Sequence, residues 1–419
     1  MLLVLGRRVV VGARAAPRVA RWVSEKAYTI DVDGASMHRS AITQQLWSLR
    51  CDQGSCAPPA PNPDGTRHPS HARVVVRYEL TRDAELRQRY ESAFGTMRMG
   101  VLFEDMDAIA GSVAWRHVDD ANPETDPPIL VTASCEKIEL RDQLSLDADY
   151  SLVGQVVWTG SSSLEIVVEL VKKNAVVALS GVFTYVARHR DGSGAAKVYQ
   201  IVPQTEDEIE RRDAAEVKQA ALKAARAAAK GKPRDALSPT QAMRVEELLA
   251  DAAVLRDFPG QADDGLVLMS RTTLRNAIMC HPQERNTAGR IFGGVLMRRA
   301  LEIAFATAYR FGGAEPRLVE LERVEFIRPV DVGALLALNS FVTLSEQPRD
   351  VSLHPPLVHV HVQARTWRPQ RRESMLANTF SFVFALPGAP RPLKTVVPTT
   401  RIEAELQVRA NKRLDNDDD

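Results

Sequence analysis

The stretch His281-Pro-Gln-Glu-Arg-Asn286-Thr-Ala-Gly-Arg290-Ile-Phe-Gly293-Gly294-Val-Leu-Met-Arg-Arg-Ala-Leu-Glu302 decides how the rest of the chain is read. It joins a polar loop to a Gly293-Gly294 pair that opens a mostly apolar helix, so the first backbone N–H groups of that helix lack partners within it and form the positive end of its dipole. A helix start of this kind suits an oxygen that gains negative charge during a reaction. A glycine pair can equally be a turn before a core helix. The flanks and the rest of the chain must separate the two.

Working outward, the chain repeats itself. From about Arg73 to Arg188, and again from about Leu266 to Leu386, an extended entry leads into one buried helix and then several strands. The helices follow Gly100 (Val-Leu-Phe-Glu-Asp-Met-Asp-Ala-Ile-Ala-Gly) and Gly294. Leu164-Glu-Ile-Val-Val-Glu-Leu corresponds to Val358-His-Val-His-Val-Gln-Ala at the same offset as the two glycines, and Phe183-Thr-Tyr-Val to Phe380-Ser-Phe-Val at nearly that offset. Period-2 alternation with β-branched residues makes these strands. One helix with several antiparallel strands, twice, predicts an α+β fold with each helix packed on a curved sheet.

The spacing His-Pro-x-x-x-Asn-x-x-Gly-x-x-x-Gly-Gly-x-Leu-Met resembles the signature of hotdog-fold acyl-CoA thioesterases, and HPQERNTAGRIFGGVLMR looks most like the mitochondrial acyl-CoA thioesterase 9 type. The resemblance covers about 71–386. It implies a tandem (double) hotdog, two antiparallel sheets each wrapped around a central helix, with the active site between them. It also implies hydrolysis of acyl-CoA to fatty acid and coenzyme A, and trimers of the two-hotdog chain.

Composition is compatible with this. A chain of 419 residues with 45% hydrophobic residues can build two ordinary cores, and a net charge of +1 gives no electrostatic argument for nucleic acid. Four cysteines make no disulfide framework. Cys280 and His281 are neighbours on an extended segment and point apart, which argues against a Cys-His dyad. Residues 1–24 carry Arg7, Arg8, Arg14, Arg18 and Arg21 and no acid, the pattern of a mitochondrial transit peptide and hence of a matrix address; the apolar run is too short and broken for a membrane span. Residues 25–70 read as a flexible lead-in, 71–190 and 266–390 as the two hotdog domains, 191–265 as a helical linker and 391–419 as a tail. In the linker, Thr205-Glu-Asp-Glu208 and Ser238-Pro-Thr-Gln241 are capping boxes.

Thioester hydrolysis needs a group that activates water, or attacks, and a donor for the oxyanion. The resemblance implies a carboxylate two helical turns after the glycine pair, on the helix of the opposite hotdog. Seven residues from Gly100 is Asp107; seven from Gly294 is Leu301, with Glu302 one place off. One composite site is therefore expected: Gly293 and Gly294 amides with Asn286 from the second unit, Asp107 from the first, opening to a channel wide enough for a pantetheine arm. The reciprocal site is expected to be degenerate. Alternatives stand beside these assignments. Asp107 could pair with an arginine, Asn286 could be a turn residue, and His281 could serve the loop rather than the substrate. Arg290 and Arg328 are candidates for coenzyme A phosphates or for salt bridges. His359 and His361, with His354, lack a further ligand, so neither metal nor cofactor is expected. A non-catalytic hotdog recruited to a mitochondrial complex is the competing function.

Overall fold

The computed structural model describes residues 28–31, 58–122, 124–125, 127–228, 237–258, 260, 263–286, 289–322, 324–348, 354–390 and 392–411. The arginine-rich segment 1–24, Cys51, Cys56 and the acidic tail lie outside these. The chain enters through β1 (Tyr28–Asp31), β2 (Thr66–Arg67), α1 (Pro69–Ala72), β3 (Val74–Tyr78) and α2 (Ala84–Tyr90) and reaches the long helix α3 (Met99–Val118). Then come β4 (Ile129–Cys135), β5 (Ile138–Leu140), β6 (Tyr150–Thr159), β7 (Ser163–Lys172), β8 (Val177–Arg188) and β9 (Gln200–Ile201). Helices α4 (Glu206–Ala228) and α5 (Pro239–Asp257) connect to β10 (Leu266–Leu268), β11 (Leu274–Met279) and the second long helix α6 (Gly293–Gly312). The chain continues with β12 (Arg317–Leu321), β13 (Val324–Glu325), β14 (Leu335–Glu346), β15 (Leu357–Arg368), β16 (Glu373–Ala385), β17 (Thr395–Val397) and α7 (Arg401–Asn411).

This is a hotdog α+β architecture. Helix α3 lies on β6, β7 and β8, helix α6 lies on β14, β15 and β16, and the two helices touch each other. One sheet runs β1-β3-β6-β7-β8-β5-β12-β16-β15-β14-β11, with β4 beside β8 and β13 beside β4. At its middle Leu321 pairs with Ile138 and Val324 pairs with Cys135. Adding 186 to 135 and 138 gives 321 and 324, so these are one contact read from either repeat. The relation is two-fold.

The same relation holds at the helices, where the offset is 194. A Cβ on Gly294 would lie 2.8 Å from Cα of Glu104, and one on Gly100 would lie 3.0 Å from Cγ of Arg298. Residues 104 and 298 also differ by 194. Each helix start therefore rests on the second turn of the other helix; a side chain at Gly294 would meet main chain, and one at Gly100 the flexible stem of Arg298. The environments differ beyond that contact. All of α3 except Met99 and Trp115 is buried, whereas α6 buries one face and leaves residues such as Glu302, Tyr309 and Arg310 accessible. Each large apolar side chain so buried contributes roughly 1.5–3 kcal/mol.

The linker does more than connect. Both capping boxes form: Glu208 N–H donates to Thr205 Oγ1 at 3.2 Å and Gln241 N–H to Ser238 Oγ at 3.1 Å. Helix α4 lies over the outer face of the first repeat's strands, where Arg211 meets Glu169 at 3.2 Å, Lys218 meets Glu136 at 2.9 Å and also Glu165, and Arg73 meets Glu208 at 3.2 Å. Burial pushes the Glu165 carboxyl up, with Lys218 opposing it. Helix α5 pairs instead with α7. Within the segment expected as a flexible lead-in, β1 runs parallel to β3, and Arg67 is fully buried. Its guanidinium donates to the carbonyls of Arg116, His117 (3.0 Å) and Asp119 (2.7 Å), closing the C-terminal end of α3.

Candidate active site

Asp107 is held between the repeats. It projects from the second turn of α3, is fully buried, and its Oδ2 accepts from Gly294 N–H at 2.6 Å at the start of α6. Tyr185 of β8 donates its hydroxyl hydrogen to this residue, with its oxygen 3.0 Å from Oδ1 and 3.2 Å from the Asp107 carbonyl. Both carboxylate oxygens act as acceptors. A short bond between an acid and a helix-start amide is the charge-assisted kind. A Cβ on Gly293 would lie 2.9 Å from Asp107 Oδ2 and 2.9 Å from Cζ of Phe326, so both glycines are required by the closeness of the opposite repeat.

Other expectations come out differently. The Gly294 amide, expected as a donor to the substrate, serves Asp107 instead. The carboxylate does not stand in an open channel: Asp107 is fully buried. Asn286 is a turn residue here. Its backbone N–H donates to Arg290 O at 2.6 Å, its Oδ1 accepts from Arg290 N–H at 3.0 Å, and Gly289 N–H closes on its carbonyl at 3.0 Å, Gly289 having φ +76°. His281 is exposed and opens a short turn in which its N–H faces Glu284 Oε2 at 3.4 Å. Arg290 is paired with Asp331, which also binds Arg368 at 3.0 Å. Arg328 is exposed, donates its N–H to Ala377 O at 3.1 Å, and has no ionic partner among the described residues.

The first repeat carries the same turn without the asparagine. Ser92 N–H donates to Thr96 O at 2.8 Å, Thr96 N–H reaches Ser92 Oγ at 3.2 Å, and Gly95, at φ +70°, closes on Ser92 O at 3.1 Å. Subtracting 194 from 286, 289 and 290 gives 92, 95 and 96.

Tyr185 is the functional candidate that reading the sequence missed. Aligning Phe183-Thr-Tyr-Val with Phe380-Ser-Phe-Val sets it against Phe382. The observed register pairs Leu164 with Tyr185 and Val358 with Phe384, and 358 is 164 plus 194, so the counterpart of Tyr185 is Phe384, two residues further on. A slip of two keeps the face and hides the error. The reciprocal place therefore has Leu301 and Phe384 where this one has Asp107 and Tyr185. Glu302, one position off, lies among Arg298 (3.1 Å), Arg299 (3.3 Å) and Arg98 (3.5 Å). Burial tends to raise its carboxyl, but those arginines outweigh it and hold it below the ordinary value.

Burial disfavours the thiolate form of both described cysteines. Burial first, then the charges of Asp107 and Glu136, push the Cys135 thiol well up, and burial pushes Cys280 up to about 11. His361 is buried and hydrogen-bonds Ser381 at 3.2 Å, His359 faces Glu346 at 2.7 Å, and no metal-ligating cluster occurs among the described residues.

No family model matches the chain. Over 401 residues it is 37% identical to acyl-coenzyme A thioesterase 2, chloroplastic, of Humulus lupulus, covering 90% of this chain and 89% of that protein. The chain belongs to the acyl-coenzyme A thioesterases. Acyl-coenzyme A thioesterase 4, mitochondrial, of the same plant is 36% identical over 90% of this chain and 73% of its own length. Acyl-coenzyme A thioesterase 9, mitochondrial, of Mus musculus is 30% identical over 81% and 76% respectively. Among solved structures, an acyl-ACP thioesterase from Bacteroides thetaiotaomicron aligns over 76% of this thioesterase and 100% of that chain, with 10% identity and a TM-score of 0.43. Among the described residues of this thioesterase no helix is long and apolar enough to cross a membrane.

Proposed function

We propose that this thioesterase is a tandem double hotdog that hydrolyses fatty acyl-CoA to fatty acid and coenzyme A at one composite site between its repeats. The observation that carries the reading is the 2.6 Å bond from Gly294 N–H to Asp107 Oδ2, which unites a carboxylate of one repeat with a helix start of the other. In this reading Asp107, aligned by Tyr185 and Gly294, takes a proton from water as the water oxygen attacks the thioester carbonyl. The Gly293 amide donates to the oxyanion, with the α6 dipole behind it. Collapse then breaks the C–S bond, and protonated Asp107 returns its proton to the departing thiolate, which releases the thiol and restores the carboxylate. Entry of the thioester requires the packing around the buried Asp107 to open.

Asn286 and His281 support the loop in this scheme rather than the chemistry. Arg328, with no ionic partner among the described residues, is the better candidate for a coenzyme A phosphate; Arg290 is neutralised by Asp331. The arginine-rich start and two mitochondrial relatives support a matrix address, and a trimer of the two-repeat chain is the assembly this reading expects. The test is hydrolysis of acyl-CoA esters of graded length by the purified chain, with the released thiol measured. Turnover at some chain length is expected, and inertness at every length would favour a non-catalytic hotdog.

A further inference from the structure

The two-fold relation carries the Asp107 site onto a second place in the molecule, and there the protein keeps a cavity of about 520 Å³. Its lining includes Met99 and Gly100 at the start of α3, Leu301 and Phe305 of α6, Phe384 of β16 and Leu140 of β5. Gly100, Leu301 and Phe384 are the counterparts of Gly294, Asp107 and Tyr185, and Leu140 plus 186 is Phe326. The Asp107–Tyr185 pair has no counterpart here, since the acid is a leucine, the tyrosine a phenylalanine, and Glu302 is committed to its arginines. The recess opens to the surface, has a mainly apolar lining, and lies in the size range of small-molecule sites, roughly 300–1,000 Å³.

Two features point to an occupant. Phe94, 39% exposed, extends the apolar wall to the surface by packing on Phe305 at 5.7 Å and Tyr309 at 5.6 Å. Arg317, exposed on β12, lines the cavity and has no ionic partner among the described residues; Glu315 stands beside it, so the chain of a ligand would matter more than its head. We propose that this cavity is a non-hydrolysing binding site for a saturated acyl chain, which lies among Leu301, Phe305 and Phe384 with its carboxylate or thioester head near Arg317. The class of occupant rests on the hydrolase reading above, because it is inferred from the equivalent thioester site.

The test is titration of the full chain with dodecanoate and, separately, with dodecyl-CoA in which a thioether replaces the thioester. Two equivalents per chain are expected for at least one probe, and which probe binds tells free acid from ester. Leu140→Trp fills the cavity and should remove the second equivalent; Arg317→Glu, at an exposed position that leaves folding intact, should weaken it by about tenfold for dodecanoate. Both variants should keep acyl-CoA turnover within about twofold of the parent. One equivalent in the parent chain, or two equivalents unaltered in both variants, would overturn the proposal. A chain that hydrolyses acyl-CoA but binds one equivalent refutes this site alone, whereas an inert chain that binds two refutes only the hydrolase reading.

Discussion

The two places where a helix start meets the second turn of the opposite helix have the same backbone and opposite chemistry. At one, Gly294 donates to Asp107 while Tyr185 donates from the strand; at the other, Gly100 faces Leu301 and Phe384. The strand pairing, the glycine contacts and the preceding turn all repeat with constant offsets. What differs most in chemistry is a pair of side chains, Asp107 and Tyr185 against Leu301 and Phe384. Backbone register is fixed by many hydrogen bonds and two interlocked helices, so side chains in that frame can change in one copy without disturbing the other. Polarity also follows the surroundings: α3 is buried nearly all round and yet carries Glu104, Asp105 and Asp107, each held by a partner from outside the helix.

The sharpest way to break the comparison is Asp107→Asn. It keeps the shape and removes the charge, so turnover should fall by roughly 10²–10⁴-fold with substrate binding retained. An undiminished turnover number would remove Asp107 from the chemistry.

A pH titration compares the repeats by stability. Burial holds His117 of the first repeat and His361 of the second at about 4. Both are depressed below the ordinary histidine value of 6.5, so the unfolded chain binds the extra protons. Stability is fully present above about 6.5 and declines as pH falls toward about 4, by up to a few kcal/mol per histidine. His361→Phe should flatten that slope in denaturant unfolding measured across the window, and an unaltered slope would contradict its buried neutral state.

Gly294→Ala and Gly100→Ala test the two close approaches. The new methyl meets main chain of Glu104 in the first case and the flexible stem of Arg298 in the second. Gly294→Ala should cost about 1–3 kcal/mol of unfolding free energy and Gly100→Ala clearly less; equal losses in matched denaturant curves would contradict the asymmetry. Tyr185→Phe removes one donor to the carboxylate and should lower the turnover number by about tenfold, on the scale of one hydrogen bond to a charged group. Its mirror, Phe384→Tyr, should leave turnover unchanged. Smallest of all, Glu302→Gln should alter turnover less than about twofold, because its arginine pairs are partly exposed; a loss like that of Asp107→Asn would mean two working sites.

Much of this was written locally in the chain. The repeat, the two central helices, the strands and both linker caps follow from periodicity and capping residues, which act over a few neighbours. Asp107 was reachable by counting from Gly100, because the family resemblance supplies the spacing and a helix has a fixed rise and pitch. Tertiary structure decided the rest. Only strand pairing across the sheet identified Tyr185 and its counterpart Phe384, since an alternating strand matches itself at every second residue. Only the approach of the two helices brought the Gly294 amide to Asp107, and only packing between the repeats closed the carboxylate from solvent. Arg67, in a stretch read as flexible, became the buried cap of α3 because the unpaired carbonyls it satisfies belong to residues about fifty positions away, and no local pattern records a partner that distant.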